Sequence, residues 1–201
     1  MQRRESSFKK IDNYVFSLDD QLGSGSFGRV YKATHLLSNQ QFALKVIDIS
    51  TADRKFLQNL QNEIKLMKQV DSIYTVKLFD TFLSKSHFYL ITEYCSQGDL
   101  RSFFQKNKGL LVERQARSIL KDLIRGLKDL ASNGVVHRDL KPENILIKDN
   151  VYKIADFGFA KSVEDFHAGM LYSCVGSPLY MSPQVFSKLK TAFFIRYFLG
   201  Y

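Results

Sequence analysis

Three glycines in the spacing Gly23-x-Gly25-x-x-Gly28 lie between two strand-like runs, and this placement restricts the possible folds strongly. The first run, Tyr14–Leu22, alternates in polarity, and the second, Arg29–His35, is rich in residues that favour strands. A dinucleotide-binding fold carries the same glycine spacing but needs a helix directly after it, and no helical pattern follows Gly28. The sequence therefore predicts a glycine-rich hairpin, whose backbone N–H groups can approach phosphates because no Cβ intervenes. An ordinary hairpin turn is the alternative interpretation.

The period of the apolar residues changes along the chain from that of strands to that of helices. Further strand-like runs are Gln41–Ile49, Tyr74–Phe82, His87–Tyr94, Ile145–Ile147 and Tyr152–Ile154. Apolar residues recur every three or four positions in two segments, which predicts two amphipathic helices. The first helix is marked by Phe56, Leu60, Ile64 and Met67, and the second by Leu120, Leu123, Ile124, Leu127 and Leu130. Asn133-Gly134 is a typical C-terminal cap for the second helix.

This order of elements predicts an α+β chain with two lobes. We expect an N-terminal extension over residues 1–13, an antiparallel β-sheet lobe with one helix over 14–94, and a mainly helical lobe over 95–201. A short connector near Tyr94–Gly98 joins the two lobes.

The charge and the cysteine content limit the possible partners and compartments. The net charge is +9, from 29 basic and 20 acidic residues, but the basic residues are scattered, which argues against a nucleic-acid partner. The two cysteines, Cys95 and Cys174, show no metal-binding spacing and no disulfide framework. The first ten residues lack the apolar core of a signal peptide, and no run reaches the ~20 apolar residues of a membrane helix. We therefore expect a cytoplasmic protein without a transmembrane segment.

A lysine inside an apolar strand needs a partner. Lys45 lies in Phe42-Ala43-Leu44-Lys45-Val46, and a buried lysine is costly unless it is paired. A surface lysine with a buried stem is the alternative. In the functional interpretation, Lys45 contacts nucleotide phosphates and pairs with Glu63, a carboxylate of the helix that follows.

The segment His137-Arg138-Asp139-Leu140-Lys141-Pro142-Glu143-Asn144 is the strongest chemical signal. Phosphoryl transfer requires a carboxylate that orients the attacking hydroxyl, a cation for the γ-phosphate, and oxygen ligands for Mg²⁺. Asp139, Lys141 and Asn144 have these chemistries, and Asp156-Phe157-Gly158 adds a second magnesium ligand. A chance polar loop is a poor explanation, because both motifs follow the glycine hairpin in the required order.

With these motifs the chain resembles the eukaryotic protein kinases over residues 14 to 190. The resemblance implies ATP and Mg²⁺ as cofactors, with Asp139, Lys141, Lys45 and Glu63 as catalytic residues and Asn144 and Asp156 as metal ligands. It implies that ATP is bound by Leu22, Gly23, Ser24, Gly25, Ser26, Phe27, Gly28, Val30, Ala43, Lys45, Glu93, Cys95 and Leu146. Thr92 would be the gatekeeper behind the adenine. Lys141 implies serine or threonine, rather than tyrosine, in the protein substrate.

A finer similarity concerns the autophagy-initiating (unc-51-like) kinases. It rests on Glu93-Tyr94-Cys95-x-x-Gly98-Asp99-Leu100, Asp156-Phe157-Gly158-Phe159-Ala160 and Gly176-Ser177-Pro178-Leu179-Tyr180-Met181. By the same resemblance, Ser173 is the candidate phosphosite of the activation loop, with an unmodified serine as the alternative. Asp99 either recognises a basic substrate residue or caps a helix.

The resemblance stops near the end of the chain. Ile195 occupies the position where the family has an aspartate that braces the catalytic loop, and the chain ends at Tyr201, where the family begins a long buried helix. We therefore expect an incomplete second lobe. Two hypotheses follow: an active serine/threonine kinase, or a truncated ATP-binding scaffold that is weakly active or inactive.

Overall fold

A computed structural model describes residues 7–25, 28–163 and 175–181. The chain divides into two compact units, each made of two segments. The first unit comprises Met1–Gln58 and Lys77–Cys95, and the second comprises Asn59–Val76 and Ser96–Tyr201.

The first unit contains a six-stranded antiparallel sheet. Its strands are β1 (Phe8–Ile11), β2 (Tyr14–Gly25), β3 (Gly28–His35), β4 (Gln41–Asp48), β5 (Leu78–Leu83) and β6 (His87–Glu93). They are arranged in the order β1-β2-β3-β4-β6-β5, so that every neighbouring pair except β4–β6 is consecutive in sequence. The predicted α+β class and the antiparallel sheet are confirmed.

One face of this sheet carries an aromatic core. Tyr14, Phe16, Tyr31, Ala33, Phe42, Leu44 and Ile91 are buried together. The ring of Tyr14 meets that of Phe42 edge-on, with 5.4 Å between centroids, and the Tyr14 hydroxyl donates a hydrogen bond to Asp80. Burial, together with the neighbouring Asp80 carboxylate, raises the pKa of Tyr14.

The second unit is built around one long helix. Among the described residues, the helices are α1 (Arg54–Gln69), which the boundary between the units crosses, α2 (Leu100–Lys106) and α3 (Glu113–Ser132). The strands β7 (Val135–Val136) and β10 (Lys161–Ser162) pair with each other, as do β8 (Ile145–Lys148) and β9 (Val151–Ile154). The predicted cap of α3 is confirmed, because Asn133 is the C-cap and Gly134 has a φ of 64°.

Three details differ from the sequence prediction. Strand β1 lies within the segment that we assigned to an extension. Tyr74–Lys77 is not a strand, because Thr75 instead bridges Ile154 in the second unit.

The third difference is the buried face of α3. Ile119, Asp122, Gly126 and Leu130 are buried, whereas Leu120 and Ile124 are 58% and 64% exposed. The reason is Gly126, where an added Cβ would lie 3.0 Å from the Ile154 side chain. Because the helix backbone approaches β9 this closely at Gly126, the face of α3 that carries Gly126 is the buried face.

Candidate active site

The Asp139 carboxylate is the centre of a hydrogen-bond network in the second unit. The residue is only 3% exposed. Its Oδ1 accepts the backbone N–H of Ser177 at 2.8 Å, and its Oδ2 accepts from Lys141 Nζ at 2.8 Å and from Asn144 Nδ2 at 2.9 Å. Burial acts to raise the pKa of Asp139, but the hydrogen bonds from Lys141 and Ser177 outweigh it and hold the pKa below its ordinary value. The carboxylate is therefore ionised at neutral pH.

Asn144 fixes the shape of the loop that carries Asp139. It ends a 3-10 turn, Pro142–Asn144, and is 6% exposed. Besides the carboxylate, its Nδ2 also reaches the backbone oxygen of Asp139, at 2.9 Å. The second polar atom of this side-chain amide is the oxygen Oδ1. The loop that carries Asp139 is thus closed on itself through one buried amide.

The peptide groups around Ala155 connect this loop to the segment that carries Asp156. The N–H of Ala155 donates to the backbone oxygen of Asn144 at 2.8 Å, and the backbone oxygen of Ala155 lies 3.0 Å from His137 Nε2. The His137 ring also meets the Phe157 ring edge-on at 5.6 Å. Burial lowers the pKa of His137, so its imidazole is neutral. Asp156, which follows Ala155, has a φ of 63°.

The segment before the 3-10 turn Pro178–Tyr180 lies against the loop that carries Asp139. Gly176 has a φ of 108°, and an added Cβ would be 2.5 Å from the backbone oxygen of Arg138. Only glycine fits such a conformation at such a distance. The Ser177 hydroxyl that follows accepts from Lys141 Nζ at 2.9 Å. The contacts of Ser177 with Asp139 and Lys141 are not predicted by the motif in which it lies.

Two acidic residues near the loop have structural partners. Asp99 caps α2, since its carboxylate accepts the N–H of Ser102 at 2.8 Å and the Ser102 hydroxyl at 2.7 Å. Helix capping, one of the two alternatives for Asp99, is therefore observed. Glu143 forms a salt bridge of 2.6 Å with Arg101 of α2. The sequence pattern did not predict this pair.

In the first unit, several residues of the predicted ATP site share one face of the sheet. The register places Val30 opposite Lys45, and Ala43 opposite Thr92. Residues that face each other in a ladder project to the same side, and alternate residues of a strand do so as well. Val30, Ala43, Lys45 and Thr92 therefore lie on the face opposite to Leu44 and the aromatic core.

The three glycines of the hairpin differ in what surrounds them. Gly23 and Gly25 pair with Val30 and Gly28, and a Cβ on either of them would meet no atom within 4 Å. A Cβ on Gly28, with a φ of 153°, would lie 2.2 Å from the Val46 oxygen. Packing therefore requires glycine at position 28 only.

The remaining predicted residues are spread over the chain. Leu22 and Ser24 are exposed on β2, Glu93 ends β6, Cys95 is buried, and Leu146 lies in β8. Lys45 belongs to the first unit, whereas the buried Glu63 belongs to the second, so their pairing stays a prediction. Ser26, Phe27 and Ser173 lie outside the described residues.

None of the helices in the described part of the chain is both long and apolar enough to span a membrane.

Comparison with known proteins identifies the family. The protein kinase domain family matches residues 16–193. The serine/threonine-protein kinase atg1 of Dictyostelium discoideum is 36% identical over 90% of this chain and 28% of its own length. ATG1c of Arabidopsis thaliana is 36% identical over 85% of this chain and 23% of its length. CBL-interacting protein kinase 26 of Oryza sativa subsp. japonica is 39% identical over 86% of this chain and 35% of its length.

The chain thus spans between 23% and 35% of the length of these curated relatives. The match to the family covers most of the chain, including the glycine hairpin and the Asp139 network. This chain belongs to the protein kinase family.

Proposed function

We propose that the chain transfers the γ-phosphate of ATP to serine or threonine hydroxyl groups of protein substrates. The observation that carries this proposal is the network in which Lys141 and Asn144 both reach the ionised Asp139 carboxylate. An ionised carboxylate within reach of the acceptor hydroxyl can orient it and take its proton. Lys141, 2.8 Å from the same carboxylate, is placed to balance the charge of the transferred phosphate.

The available oxygen ligands fit Mg²⁺. Asn144 turns its Nδ2 toward Asp139, so Oδ1 is the atom that it can offer, and Asp156 supplies a carboxylate. Mg²⁺ keeps several water ligands and is held by one or two protein oxygens together with phosphates. Such a site needs no larger cluster, and the described residues contain no group of three or more His, Cys, Asp or Glu side chains that could hold a metal. When bound, Mg²⁺ neutralises charge on the phosphates of ATP.

For ATP we propose the sheet face that carries Val30, Ala43 and Lys45. Its apolar residues suit an adenine ring, and Lys45 suits phosphates. The glycines support this role, because no atom of the described residues lies within 4 Å of a Cβ added at position 23 or 25. Close approach of the backbone to a ligand would require glycine there.

The test is a phosphotransfer assay with the purified chain, Mg-ATP and a generic serine/threonine peptide. We expect transfer, and a loss of about 10²–10⁴-fold in Asp139→Asn, since a general base contributes about that much. Asp149→Asn is the matched control, because it makes the same change at an exposed turn and should retain activity.

If the wild-type chain binds ATP but transfers no more phosphate than Asp139→Asn, the chain is an ATP-binding scaffold and not an enzyme.

The pathway in which the chain acts is a separate question. Identities of 36% with atg1 and 39% with CBL-interacting protein kinase 26 differ too little to assign a kinase group. A role in autophagy and a cytoplasmic location stay predictions. Phosphorylation of peptides from substrates of each kinase group by this chain would choose between the groups.

A further inference from the structure

Ser177 lies beside Asp139 and Lys141, the proposed base and the proposed phosphate-stabilising cation. The Ser177 backbone N–H donates to Asp139 Oδ1 at 2.8 Å, which holds the residue beside the proposed base. Its Oγ accepts from Lys141 Nζ at 2.9 Å, so the oxygen lies next to the proposed phosphate-stabilising cation. Ser177 therefore contacts both groups that the proposed function assigns to the reacting hydroxyl and phosphate, Asp139 through its backbone N–H and Lys141 through its hydroxyl.

The position of Ser177 is set by the backbone. Gly176 has a φ of 108°, and a Cβ added there would lie 2.5 Å from the backbone oxygen of Arg138, so no side chain fits at this position. Ser177 is half-buried, and the next residue, Pro178, begins the 3-10 turn. A hydroxyl held beside its base reacts as part of the same molecule, at a much higher effective concentration than a separate substrate.

We propose that Ser177 is a phosphorylation site that the chain modifies on itself, in an intramolecular reaction. The proposal rests on the proposed kinase function. Asp139 takes the hydroxyl proton, and a bond forms between Ser177 Oγ and the γ-phosphorus of ATP. The bond between that phosphorus and the oxygen bridging it to the β-phosphorus breaks, and ADP leaves with the electron pair.

The modification should switch the site off. A phosphoserine carries a charge of about −1.5 to −2 at neutral pH. Placed beside the Asp139 carboxylate, this charge repels the carboxylate and competes with it for Lys141, which is within reach of both. Transfer to other substrates should therefore fall as Ser177 is phosphorylated.

The test uses the full 201-residue chain with Mg-ATP and a generic peptide in the same reaction. Mass spectrometry then locates phosphate on the chain, and peptide phosphorylation is followed in parallel. We expect phosphate on Ser177, up to about one per chain, with a half-life that is constant across about a tenfold range of protein concentration, because the step is unimolecular. Ser132→Ala, at an exposed serine that ends α3, is the matched control and should still acquire phosphate at Ser177, whereas Ser177→Ala should not.

Each outcome decides a different point. Peptide phosphorylation without phosphate on Ser177 overturns this proposal and leaves the proposed function standing; Ser177 would then only position Lys141. Phosphate on Ser177 at a rate proportional to protein concentration overturns the intramolecular route. If neither reaction occurs, both the proposed function and this site are wrong. The wild-type measurement decides the matter even if a variant fails to fold.

Discussion

Replacing Asn144 by alanine should destabilise the second unit, because one buried amide serves two acceptors. Its Nδ2 donates to the backbone oxygen of Asp139 and to Oδ2 of the same residue, both at 2.9 Å. A hydrogen bond to a neutral group contributes about 1 kcal/mol, and one to a charged group about 1.5–3 kcal/mol. Oδ2 keeps its contact with Lys141, so we take the lower part of the summed range. We expect a loss of about 2.5–3 kcal/mol in the free energy of unfolding.

Urea and thermal unfolding followed by circular dichroism measure this loss. The measurement is made in EDTA and without nucleotide, so that metal affinity does not contribute. For a chain of this size, the expected shift in Tm is about 5–10 °C. Asn144→Asp should be destabilised at neutral pH as well, because it brings a second carboxylate against Asp139, and should recover part of the loss in acid.

The control is Asn13→Ala, because the Asn13 side chain donates a hydrogen bond to its exposed neighbour Asp12 at 3.2 Å. It should change the free energy of unfolding by less than about 0.5 kcal/mol. An Asn144→Ala variant as stable as Asn13→Ala would refute the reasoning. The amide would then contribute nothing to the shape of the loop, and its only role would be as a ligand.

Three further predictions concern stability. Gly28→Ala should lower the free energy of unfolding, measured in urea, by about 1–3 kcal/mol. The positive φ of Gly28 and the Val46 oxygen, which would lie 2.2 Å from an added Cβ, both exclude a side chain. An unchanged urea midpoint would contradict this. The lowered pKa of His137 means that stability is complete above about pH 6.5 and declines below it by up to about 1.4 kcal/mol per pH unit, as the unfolded chain takes up the proton. His137→Gln should have a flatter pH profile between pH 5 and about 7, and an identical slope would refute the assignment. Tyr14→Phe should cost about 1–2 kcal/mol at neutral pH, because Asp80 loses its donor, and the raised pKa of Tyr14 means that the wild-type advantage shrinks above about pH 10; equal stability of the two proteins at pH 7 would argue against the bond.

The sequence pattern predicts elements well where the signal is local. The strands β2, β3 and β4 and the helix α1 begin and end within a few residues of the predicted positions, because their apolar periods are regular. Strand β1 was missed because two of its four residues are lysines. It is a strand because it pairs with β2.

Long-range contacts decide what the pattern cannot. On α3, the apolar stripe through Leu120 and Ile124 suggested the buried face, but the close approach at Gly126 selects another. At the candidate site, Asp139, Lys141 and Asn144 lie together because the motif places them within six residues of one another, whereas their catalytic and metal-binding roles stay predictions. The contact between Ser177 and Asp139 was not predicted, because it joins residues 38 positions apart.

The order of strands in the six-stranded sheet has a consequence for folding. Every neighbouring pair except β4–β6 is a hairpin of consecutive strands, which can form from local contacts. Pairing β4 with β6 closes a loop of roughly 38 residues between Asp48 and His87. This step should be the slow one, with the highest entropic cost. A fragment that ends at Gln58 would lack β5 and β6 and leave β4 as an open edge, so we expect it to self-associate.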